Sequence, residues 1–82
     1  MNKNKKLVQA VATAIRHFRK DSNLSQEELA AKADLDRTYI SGVERSVRNI
    51  TLDSLEQIIN ALDIDIKTFF SKVTDATNKL SD

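Results

Sequence analysis

The 82-residue sequence predicts an all-α domain, and three observations carry that prediction. It has no proline and only one glycine, Gly42, so little in it interrupts a helix. Its apolar residues recur three and four positions apart, the spacing that builds one face of a helix. Between those stripes stand Ser25, Asp36, Thr51 and Asp65, whose oxygens can accept the free N–H groups at a helix start.

Five helices follow. The first covers about residues 5–20, because Leu7, Val11, Ile15 and Phe18 share a face that Val8 and Ala14 widen, and "DSN" ends it. The second covers about residues 26–33. In "SQEE" Glu28 stands three places after Ser25, where each side chain satisfies the other's backbone N–H, and Leu29, Ala30 and Ala33 face inward. The third, about residues 37–45, follows Asp36 and buries Ile40 and Val43. The fourth, about residues 52–62, follows Thr51 with a stripe of Leu52, Leu55, Ile58, Ile59 and Leu62. The fifth, about residues 66–78, follows Asp65 with Ile66, Phe69, Phe70 and Val73 inward. Residues 1–82 read as one domain, with frayed ends expected at Met1 to Asn4 and at Ser81 and Asp82.

Composition narrows the function classes. Without cysteine there is no disulfide framework and no cysteine-based zinc cluster. The single histidine, His17, and the carboxylates show neither metal-ligand nor catalytic-triad spacing, so no enzyme activity, metal or cofactor is expected. The longest apolar runs are two or three residues, far short of the roughly 20 a membrane helix needs. "MNKNKKLVQAVATAIRHF" also lacks the continuous apolar block of a signal peptide, so a soluble, cytoplasmic protein is expected. The net charge of +1 conceals an asymmetry: residues 1–48 carry ten Lys/Arg against six Asp/Glu, and residues 49–82 carry three against six. Such a split predicts one side facing a polyanion and one turned away.

The second and third helices are joined by only three residues, 34–36, too few for an antiparallel hairpin and suited to the sharp crossing of a helix-turn-helix. That crossing needs a small residue at the contact, an apolar residue in the turn and apolar residues inside the second helix. Ala30, Leu35, Ile40 and Val43 fill those places, with Leu29 and Ala33 behind them. On these residues the stretch "RHFRKDSNLSQEELAAKADLDRTYISGVERSVRNITLDSLEQIINALDI" resembles the lambda-repressor-like helix-turn-helix family, also called the xenobiotic-response-element family. Within it, "LDRTYISGVERSVRNIT" looks most like the controller proteins of restriction-modification systems. The resemblance implies a five-helix lambda-repressor-like DNA-binding domain. Asp34 stands where the family often has glycine, and aspartate tolerates a left-handed backbone better than most residues, so the turn should survive.

The inward pair of the third helix leaves Thr38, Ser41, Gly42 and Arg45 on the opposite side, with Arg37 and Tyr39 flanking its first turn. A recognition helix points its first residues into the major groove, which makes Arg37, Thr38 and Tyr39 the expected base readers. Arginine grips guanine O6 and N7 with two bonds, and a threonine methyl or tyrosine ring lies against a thymine methyl. Gly42 is expected on the outer face, letting the helix approach DNA closely. The resemblance adds Arg48 as a base reader and Gln26 as a phosphate contact at the positive end of the second helix. Ser41, Arg45 and Asn49 complete the expected phosphate set. The resemblance also pairs Arg19 with Glu44 as a partly buried structural ion pair.

One domain of this size reads few base pairs, so the expected partner of double-stranded operator DNA is a homodimer. Its interface is expected at Ile64, Ile66, Phe69, Phe70 and Val73, placing the recognition helices about 34 Å apart. Glu27 and Glu28 form an acidic spot whose counterpart in related activators touches the sigma subunit of RNA polymerase. The implied function is a sequence-specific transcriptional regulator, a restriction-modification controller binding operators upstream of its own gene as activator or repressor. The same fold also serves phage-type repressors, antitoxins and protein-interaction modules that no longer bind DNA. The basic outer face of the third helix favours DNA over the last of these.

Overall fold

The computed structural model describes residues 5–79. They form α1 (Lys6–Asp21), α2 (Gln26–Ala33), α3 (Arg37–Glu44), α4 (Leu52–Ala61) and α5 (Ile66–Lys79). The fraying expected of the two tails lies outside the described residues. Boundaries differ from expectation by single residues. α1 starts one place later, after Lys5, whose side chain cannot accept a capping bond. Arg45 and Leu62 become the C-caps of α3 and α4, and α5 continues to Lys79.

Local side-chain chemistry sets most of the starts. Ser25 Oγ accepts the Glu28 N–H at 2.9 Å while Glu28 Oε1 accepts the Ser25 N–H at 2.8 Å, a closed capping box. Thr51 Oγ1 accepts the Ser54 N–H and Asp65 Oδ1 accepts the Thr68 N–H, each at 3.0 Å. The donors on Thr68, its side chain first and its N–H second, hold the Asp65 carboxyl below the usual carboxylate value. Asp36 sits at the N-cap of α3 without a side-chain capping bond, so there the backbone turn starts the helix unaided.

The helix ends use left-handed residues other than glycine: Asn23, Asp34, Ser46 and Asp63 have φ between 58° and 62°. Asp34 fills the turn as aspartate, its φ at 59°, and lets the Leu35 N–H reach the Ala30 carbonyl at 2.9 Å. That bond folds the chain from α2 directly into α3.

The core draws one large, fully buried side chain from each helix: Ile15, Leu29, Ile40, Ile58 and Phe69. Each contributes about 1.5–3 kcal/mol relative to exposure. Ala10 and Ala14, both fully buried, keep the inner face of α1 slim, and α1 packs chiefly against α5, while α2 lies against α3 and α4. Gln57 Nε2 donates to the Ala33 carbonyl at 2.8 Å, satisfying a helix-end acceptor and tying α4 to the turn.

Four residues expected in apolar stripes face solvent instead: Leu7 (64% exposed), Leu52 (83%), Ile66 (60%) and Phe70 (38%). Leu7, Leu52 and Ile66 stand in first turns, and helical side chains lean toward the N-terminus, so these extend past the helix end rather than onto a neighbour. Among the described residues, no helix is long and apolar enough to cross a membrane.

Candidate nucleic-acid interface

With Ile40 and Val43 buried, α3 turns Arg37, Thr38 and Arg45 to solvent and leaves Ser41 half-buried between them. These positions follow one another along a single helical face. Arg48 and Asn49, in the connection to α4, are exposed beside it.

Glu44 fixes the orientation of that face. Arg19 Nε donates to Glu44 Oε2 at 2.7 Å and Nη2 to Oε1 at 2.9 Å, a parallel two-bond fork, while Nη1 donates to the Leu24 carbonyl at 2.9 Å. The two side chains are 10% and 1% exposed. Donating to Glu44 raises the already high Arg19 pKa, against an opposing push from burial, so the guanidinium stays charged. Gln26 Nε2 donates to the same Glu44 Oε1 at 3.0 Å, and Arg16 Nε lies 3.9 Å from it. One carboxylate therefore gathers α1, the first residue of α2 and the end of α3. Gln26 is aimed by α3 as well as by its own helix.

Two residues expected on the outer face are engaged within the chain. Gly42 is buried: a Cβ built there would stand 3.2 Å from Arg48 Cβ, and Val47 N–H bonds to the Gly42 carbonyl at 3.0 Å. The missing side chain makes room for the protein's own chain, which folds back after α3, rather than for DNA. Tyr39 is half-buried, and its hydroxyl accepts the Thr51 N–H at 3.3 Å. The Arg48 guanidinium carbon lies 4.9 Å from the Tyr39 ring centroid. Tyr39 thus links α3 to the start of α4 and carries Arg48, which is the outer member of the pair.

The residues expected at a dimer interface also divide. Phe69 and Val73 are buried in the monomer core, 0% and 4% exposed, and have no surface to give a partner. Ile64 is half-buried against the core, and Ile66 and Phe70 are exposed. Ile66 and Phe70 are joined by Leu7 and Leu52, around two adjoining apolar grooves of about 300 and 220 Å³ that share Leu52, Leu55 and Phe70. Of the acidic pair, Glu28 is held in the capping box and Glu27 is exposed.

Sequence reasoning missed Arg16 and Gln57. Arg16 precedes Arg19 by three residues, a spacing that shares a helical face and gave a usable signal. Gln57 reaches a carbonyl 24 residues away, and no local pattern announces that bond.

The helix-turn-helix family matches residues 15–69, which include Gln26, all of α3 and the loop after it. The chain belongs to the lambda-repressor-like helix-turn-helix family. Within it, relatives include control proteins and, at lower identity, the immunity repressor protein of Bacillus phage phi105, 36% identical over 64 residues, 78% of this chain and 44% of that protein. Control protein C.BamHI of Bacillus amyloliquefaciens is 49% identical over 53 residues, 65% of this chain and 65% of that protein, so the match spans just under two thirds of its length. Control protein C.MunI of a Mycoplasma species is 43% identical over 60 residues, 72% of this chain and 81% of that protein. The restriction-modification controller protein C.Esp1396I, solved as a tetramer in complex with its natural 35 base-pair operator, superposes with a TM-score of 0.85 at 41% identity. The superposition covers 89% of this chain and 96% of that one.

Proposed function

We propose that the protein is a sequence-specific DNA-binding transcriptional regulator of the controller type, acting in the cytoplasm on operator DNA upstream of its own gene. The observation that carries this reading is the exposed first turn of α3, where Arg37 and Thr38 project from a helix locked in place by the Arg19–Glu44 fork. Arg37 and Thr38 read base edges in the major groove, and Arg48, stacked on Tyr39, reads beside them. Gln26, Ser41, Arg45 and Asn49 take phosphates and set the register. The operator-bound relative supports the assignment.

The active species in this reading is a homodimer. Leu7, Leu52, Ile66 and Phe70 form an exposed apolar surface of the kind that a two-fold axis covers with its own copy. Pairing there sets two α3 helices on half-sites about one DNA turn, 34 Å, apart. Glu27, exposed at the start of α2, is the candidate contact for a polymerase sigma subunit. Its signature is a Glu27→Lys protein that binds the operator normally but no longer activates transcription in a purified system.

Fluorescence anisotropy with a duplex from the region upstream of the coding frame tests the reading. The expected result is tighter binding than to a scrambled duplex, with affinity falling about 10³–10⁵-fold between 50 and 200 mM salt if the dimer neutralises 6–10 phosphates. Equal, salt-insensitive affinity for both duplexes would identify a protein-interaction module instead.

A further inference from the structure

A shallow depression of about 480 Å³ lies between α1 and α5, lined by Thr13, Arg16, His17, Lys20, Asp21 and Lys72. Its formal charges are three cations and one carboxylate. Arg16 and Lys20 are exposed and Lys72 is half-buried. Arg16 reaches Glu44 only at 3.9 Å, outside hydrogen-bond distance, because that carboxylate already holds the Arg19 fork at 2.7 and 2.9 Å and the Gln26 amide at 3.0 Å. Like charges gathered around an open surface raise the local potential and attract a polyanion.

The depression is continuous with the interface. Arg16 and Gln26 approach the same oxygen, Glu44 Oε1, so the cationic strip begins at the phosphate-side edge of α2. It proceeds along α1 to Lys20, one turn or about 6 Å further, and crosses to Lys72 on α5. The apolar surface proposed for dimerisation begins at the other end of α1: Leu7 precedes Arg16 by nine residues, about 14 Å of helix. Along α1 the strip therefore leads away from that apolar surface, and on α5 Lys72 stands about 200° around the helix from Phe70, on its other side. An open, shallow form suits an extended phosphate backbone better than a small anion, which needs enclosing donors.

Resting on the DNA-binding reading, we propose that Arg16, Lys20 and Lys72 form a second phosphate-binding strip that holds duplex DNA flanking the outer edge of each half-site. The strip carries no base-reading geometry. It adds affinity and salt dependence without adding sequence preference.

The test compares a duplex ending at the outer edges of the two half-sites with one extended by about 10 base pairs, one helical turn, on each side. Wild-type protein should bind the extended duplex about tenfold more tightly, and in Lys20→Gln/Lys72→Gln that gain should shrink toward one, with the salt slope on the extended duplex lower by roughly 2 to 4. Lys20→Arg/Lys72→Arg should retain the gain, because it keeps both charges. Arg16→Gln, measured separately, should lose part of it. An equal gain in wild type and the glutamine variant, or no gain in either, overturns the proposal while leaving the operator reading intact. Failure of the wild type to prefer either duplex over scrambled DNA overturns both.

Discussion

Gly42 lies beneath Arg48, with room for a Cβ only 3.2 Å from the arginine's own Cβ. The relationship ties the one glycine of the chain to the return of the α3–α4 connection over Tyr39, and it makes Arg48's position a product of backbone packing. Gly42→Ala should gain about 1 kcal/mol of helix propensity and lose a similar amount by pushing the connection outward, leaving stability nearly unchanged. Operator affinity should fall regardless, because Arg48 leaves its place on the Tyr39 ring. Thermal unfolding and anisotropy on the same protein separate the two effects, and an unaltered affinity would show that the Arg48 position does not matter to binding.

The Arg19–Glu44 fork predicts a larger stability effect. Glu44→Ala strands a buried guanidinium and releases the Gln26 amide, at a cost of about 3–5 kcal/mol. Replacing both partners by apolar residues, as in Arg19→Met/Glu44→Leu, should recover most of that loss. Urea unfolding followed by circular dichroism measures both variants, and a cost below about 1 kcal/mol for Glu44→Ala would mean the pair is not buried in solution.

Self-association should depend on side chains that the monomer core does not use. Leu52→Glu/Ile66→Glu alters residues 83% and 60% exposed, so the folded monomer should persist. Size-exclusion chromatography with light scattering is expected to give a dimer for the wild type at micromolar concentration and a monomer for the variant. A wild-type monomer under those conditions would overturn the dimer.

Features made by neighbouring residues were legible in the sequence. The capping box at Ser25 and Glu28, the caps at Thr51 and Asp65, and one core side chain from every helix follow from spacing alone. Residues whose surroundings come from elsewhere in the chain were not. A helical wheel puts Gly42 outside, because the wheel cannot contain the connection that returns over it. Nor can the wheel contain the partners of Tyr39, since Thr51 and Arg48 lie beyond the end of α3. Leu7, Leu52 and Ile66 fit their stripes by period, yet first-turn position sends their side chains past the helix ends. The ion pair came from family resemblance, since no helical pattern joins positions 25 residues apart.

Base reading by the first turn of α3 is put to the sharpest test by Arg37→Ala, measured against a panel of operators carrying single base-pair changes. The expected result is a loss of about 1–3 kcal/mol on the wild-type operator, with discrimination relaxed at one base position and kept at the others. Unchanged affinity and an unchanged base profile would contradict it.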